Sequence, residues 1–170
     1  MKKAFIALML LALLLPAAAL GDGPVLLVQL PQDAQMVENI AFDDGDFIQT
    51  YQLSGGANVQ LLRYQAFDMT LDDLVSSEWV GCTDVRNIPV ESVGGYPAAG
   101  LRLAYAEAGQ DALDVTILTV DADGSTLVYE AVFPQALGSG QIEATVQMMI
   151  DSMDVTIEGE EAADENAEVG

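Results

Sequence analysis

Asp43, Asp44 and Asp46 surround one glycine in the run Asp43-Asp44-Gly45-Asp46. Three carboxylates this close are oxygen ligands of the kind that hold a hard divalent cation, calcium above all, once a fourth group converges on them. The alternative is a solvated turn, because clusters of charge ordinarily face water. A second acidic run, Asp121-Ala122-Asp123-Gly124, begins like a calcium loop. There the glycine follows the second aspartate at once, and an alternating strand pattern starts where the third ligand would fall. Asp123-Gly124 between two alternating runs is instead a hairpin signal.

Other chemistry is bounded by composition. The chain has no histidine and one cysteine, Cys82. Without imidazole there is no Ser-His-Asp or Cys-His machinery and no thiolate–imidazole zinc site. A lone cysteine makes no intramolecular disulfide, so the fold must stand on its core. Cys82 reads as a small buried hydrophobe at a strand start, the alternative being a reactive or intermolecular thiol. Carboxylate-only hydrolysis stays open, but 27 acids place some pair at any chosen separation, so their number discriminates nothing. Trp79 with Tyr51, Tyr64, Tyr96, Tyr105 and Tyr129 could line a groove, although core and sheet packing accounts for them. The stripe around Met149 reads as core in the same way. No cofactor motif is present, and no catalytic residues are assigned.

The elements that must position these residues follow from periodicity. Residues 25–30 form an apolar run stopped by Pro31 and read as a first strand. Residues 32–45 are ambiguous between a helical turn and a loop. Residues 47–53 and 59–67 read as a hairpin joined by Ser54-Gly55-Gly56-Ala57-Asn58. Thr70-Leu71-Asp72-Asp73 is a capping box that opens a helix ended by Gly81, with Leu71, Leu74, Val75 and Trp79 on one face. Residues 82–93 look extended, with Pro89 disfavouring a central strand. Gly94-Gly95-Tyr96-Pro97 reads as a turn before a strand over residues 99–106. Residues 113–120 and 125–133 form the clearest hairpin. Ile142, Val146, Met149, Ile150 and Met153 then recur at helical spacing, and residues 154–157 add an extended stretch.

The two ends differ in kind from the body. Met1-Lys2-Lys3, an apolar run to Leu15, Pro16 and the small residues Ala17, Ala18 and Ala19 read as a secretory signal peptide over residues 1–21, cut after Ala19 or Gly21. No other stretch is long and apolar enough to span a membrane. Both lysines leave with that segment. The mature chain then carries three arginines (Arg63, Arg86 and Arg102) against 27 acids, a side-chain net charge of −24. Such a body repels nucleic acid and anionic membranes and attracts basic proteins or divalent cations; a salty medium would also explain it. Residues 158–170 are acidic, almost free of large apolar side chains, and read as a disordered tail.

The order of elements, with Gly95-Tyr96-Pro97-Ala98 before a strand, Asp123-Gly124 in a hairpin and Ile150-Asp151-Ser152 closing the last helix, resembles the PsbP-like domains. The resemblance covers roughly residues 24–157 and implies an α+β fold: an antiparallel sheet of hairpins flanked by helices, an α/β/α sandwich in one domain over residues 22–157. Members of that family are mostly non-catalytic accessory proteins. The sequence therefore predicts a secreted or cell-envelope accessory or binding domain, not an enzyme, with a basic protein, an envelope component or a divalent cation as partner. The alternatives are a calcium-responsive module using Asp43, Asp44 and Asp46, and a small hydrolase working through carboxylates alone.

Overall fold

The computed structural model describes residues 23–65 and 70–158. The expected signal segment and residues 159–170 of the expected tail lie outside them. Ten strands and two helices follow in order: β1 (Gly23–Leu27), β2 (Gln35–Ala41), β3 (Phe47–Gln52), β4 (Asn58–Gln65), α1 (Leu71–Glu78), β5 (Thr83–Ile88), β6 (Ser92–Val93), β7 (Tyr96–Tyr105), β8 (Leu113–Ala122), β9 (Ser125–Pro134), α2 (Ser139–Asp151) and β10 (Asp154–Glu158).

Seven strands make one antiparallel sheet in the order β2-β3-β4-β9-β8-β7-β5, and β6 adds to β7. β1 and β10 pair into a separate two-stranded ribbon. The class is the α+β single domain that the patterning predicts.

The centre of the sheet is the hairpin of β8 and β9. Asp123 and Gly124 have φ of 47° and 80°, the left-handed pair that a tight two-residue turn requires, and pairing runs from Ala122↔Ser125 to Leu113↔Pro134. Strand alternation then sends side chains to two faces. On one face Leu118, Val120, Leu127, Tyr129, Ala131 and Phe133 pack with Ile142, Val146 and Met149 of α2 and with Val25 and Leu26 of β1. On the other, Leu101, Leu103, Val115, Ile117 and Val128 pack with Leu74 of α1. Helices thus lie on both faces.

α1 begins as its sequence dictates. The Thr70 hydroxyl accepts from the Asp73 amide at 3.2 Å, and the Asp73 carboxylate accepts from the Thr70 amide at 3.1 Å. Cys82 is free and half-buried against the α1-side core, as a small hydrophobe would be.

Two local readings change. The ambiguous stretch at residues 32–45 holds a full strand, β2, whose irregular pattern has a cause. A bulge between Met36 and Glu38 breaks the alternation, and every residue of the strand is exposed at the sheet edge. In Gly94-Gly95-Tyr96-Pro97 only the glycines turn, and Tyr96 already pairs with Val93. β5 is an edge strand that stops at Ile88, just before Pro89.

Candidate functional site

Asp43, Asp44 and Asp46 sit in the β2–β3 turn. The Asp46 carboxylate accepts from the Gln65 amide at 2.5 Å, and Asp44 Oδ1 accepts from the Asp46 amide at 3.2 Å. The Gly45 carbonyl accepts from Arg63 Nε at 2.8 Å. Two of the three carboxylates thereby accept from backbone amides, Asp44 within the turn and Asp46 from β4. Among the described residues no group of three or more Asp, Glu, Cys or His side chains is arranged to hold a metal ion.

The aromatic residues divide between core and sheet surface. Tyr51 and Tyr129 are buried, and Tyr129 donates to Met149 Sδ at 3.7 Å. Trp79 stands at the end of α1, edge-on to Tyr105 at 5.2 Å between ring centroids. Its indole N–H donates to Glu130 Oε2 at 3.0 Å.

Glu130 was not among the residues that motifs select. It lies mid-strand in β9, on the α1 face, and is 8% exposed. Burial pushes its carboxyl up to about 7; the Trp79 hydrogen bond opposes that shift and the Glu78 charge adds to it. The residue terminates a polar row across the sheet, in which Glu38, Thr50, Gln60 and Glu130 are successive cross-strand neighbours. Gln60 Nε2 donates to Thr50 Oγ1 at 3.3 Å, and Thr50 Oγ1 donates to Glu38 at 2.9 Å. A carboxylate inside an otherwise apolar alternating strand was the available signal.

The opposite face carries a second polar arrangement at the other edge. Arg102 in β7 meets Asp114 in β8 through two bonds, Nε to Oδ1 at 2.5 Å and Nη2 to Oδ2 at 2.7 Å. That hydrogen bonding holds the Arg102 guanidinium above its ordinary range. Arg86 of β5 lies directly across from Arg102 in the strand register. Its side chain is exposed and makes no hydrogen bond or ion pair among the described residues. The two arginines line an open groove of about 390 Å³ with Asp84, Val85, Asp114 and Gln135. A smaller concavity of about 100 Å³ opens between Asp33, Leu53, Leu137 and Thr145.

The acid with the displaced proton affinity and the charged groove are therefore on opposite faces of one sheet. Glu130 points to α1 with Val128, whereas Arg102 and Asp114 alternate away from Leu101, Leu103 and Val115. The groove offers two guanidinium groups, two carboxylates and a side-chain amide as polar contacts.

No family model and no curated protein matches this chain. Among solved structures, the crystal structure of LpqN, involved in cell envelope biogenesis of Mycobacterium tuberculosis, is similar over 79% of this chain and 85% of that one. The TM-score is 0.47 and the identity 14%.

Proposed function

We propose that the protein is an extracytoplasmic, non-catalytic binding domain of the PsbP-like α/β/α type, and that its groove beside β5 is where it meets its ligand. The observation that carries this reading is the separation of Glu130 from the groove by the thickness of the sheet. An active site ordinarily combines a concavity with a titratable group whose proton affinity is displaced. Here Glu130, the one buried acid among the described residues, does not share a face with the groove.

Location is supported by the leader-like first 21 residues. The acidity of the body favours basic envelope partners at long range. No helix among the described residues is long and apolar enough to cross a membrane.

The test joins location to turnover. Cells expressing the whole chain are fractionated, and the N-terminus of the extracytoplasmic form is sequenced. The purified protein is then offered ester, glycoside, phosphate and peptide substrates. The reading expects a terminus at Leu20 or Asp22 and no turnover above buffer. Retention in the cytoplasm, or hydrolysis abolished by Glu130→Gln, overturns it.

A further inference from the structure

The charge of the domain makes one location unusual. Among the described residues Arg63 is fully buried and Arg102 is 8% exposed, so Arg86 is the one basic side chain that solvent meets freely. It stands at a sheet edge, opposite another arginine. Like charges directly across a strand pair repel. Asp114 offsets this for Arg102 and leaves Arg86 without a partner. Asp84 lines the same groove as Arg86 and forms no ion pair with it. Arg86 lines the groove with an exposed side chain.

Asp84 is the second mark. Only Asp84 and Asp123 among described non-glycine residues have positive φ, at 54° and 47°. Asp123 is explained by its hairpin turn. Asp84 sits in a bulge between Thr83 and Arg86 and lines the same groove. Aspartate tolerates this region, and the bulge that sets it belongs to a class over-represented at sheet edges and beside binding sites.

We infer that this groove binds a small zwitterion, with the ligand's carboxylate on Arg86 and its ammonium on Asp84. The Arg102–Asp114 pair fixes the floor, and Gln135 supplies an amide. The inference rests on the binding-domain reading above and names its ligand class. The site's own side chains are balanced, two positive against two negative, so a neutral zwitterion meets complementary charge at both ends. A polyanion would be opposed by the field of the whole domain. The volume of about 390 Å³ suits a free amino acid or a dipeptide.

The experiment titrates the protein with Ala-Ala, its C-terminal amide and its N-acetyl form, followed by amide chemical shifts. Ala-Ala is expected to bind at least about tenfold tighter than either derivative, since each lacks one charge-assisted contact. Arg86→Gln should erase the preference over the amide. Asp84→Asn keeps a residue that tolerates positive φ and should erase the preference over the acetylated form. Both positions are exposed, and unchanged far-UV dichroism confirms that the variants fold. Equal binding of all three ligands overturns the assignment, as does tightest binding of the amide, unaltered Ala-Ala affinity in Arg86→Gln, or no binding at millimolar concentration. Such a failure, in a protein that is still exported and still inert, removes the ligand class alone. Appearance of free alanine would instead remove the non-catalytic reading.

Discussion

Trp79 Nε1 donates to Glu130 Oε2 at 3.0 Å, tying the end of the short helix to the middle of the sheet across fifty residues of intervening chain. The bond gives a buried carboxyl one fixed partner, and burial still dominates its proton affinity.

The pH dependence of stability follows from that dominance. Glu130 is raised from 4.5 to about 7, so between these values the folded protein holds a proton that the unfolded chain has released. Stability is then greatest below the unfolded value and falls as pH rises through about 7, by about 3 kcal/mol in total. Asp33 and Asp73 are lowered from 3.8 by bonds with Ser54 and Thr70, and they act oppositely. Their contribution is present above that value and is lost in stronger acid. Denaturation midpoints from pH 3 to 9 check this: Glu130→Gln should flatten the neutral limb and exceed the native protein above pH 7. Parallel curves for the two proteins would mean that Glu130 is not buried as described.

Thr116 offers a stabilising change. Its hydroxyl is fully buried and lacks a hydrogen-bond partner among the described residues. Thr116→Val keeps the shape, removes the orphaned group and should raise stability by about 1 kcal/mol. A loss of similar size in chemical denaturation would show that the hydroxyl is satisfied.

Arg63 should be among the costliest residues to lose. Its guanidinium donates to the carbonyls of Gly45 and Pro24 at 2.8 and 3.2 Å, and it lies over the Phe47 ring at 5.0 Å. Arg63→Met leaves those carbonyls in apolar surroundings and should cost about 3 kcal/mol. Arg63→Lys keeps the charge but loses the planar fork, so it should fall between. A melting temperature unchanged by both substitutions would contradict this anchoring.

The Asp43–Asp44–Asp46 turn predicts a plain response to cations. With Asp44 and Asp46 bonded to backbone amides, calcium and sodium chlorides matched in ionic strength should stabilise alike, by screening. A calcium shift well above matched salt, lost in Asp43→Asn with Asp44→Asn, would identify this turn as a cation site.

Much of the fold was legible where one local rule decides the structure. Thr70 and Asp73 cap α1 because three-residue spacing alone brings them together, and Asp123-Gly124 turns because its φ values need no distant partner. β2 was hidden because its bulge destroys the alternation that identifies a strand. The groove beside β5 was beyond reach for a different reason. Arg86 and Arg102 become neighbours only through the pairing of β5 with β7, and Asp114 joins them only through β8. Glu130 left a fainter trace, a single acid in an apolar run, whose burial depends on where Trp79 comes to rest.

The proposed site requires that ligand bind at the β5 edge and not beneath α1. The most direct measurement is a map of amide, indole and guanidinium chemical shifts during a titration with Ala-Ala. Shifts should concentrate at Asp84, Val85, Arg86, Arg102 and Gln135, the Arg86 side-chain N–H among the largest, with the Trp79 indole N–H unmoved. A dominant shift at the Trp79 indole, or small shifts spread over the whole surface, would contradict it.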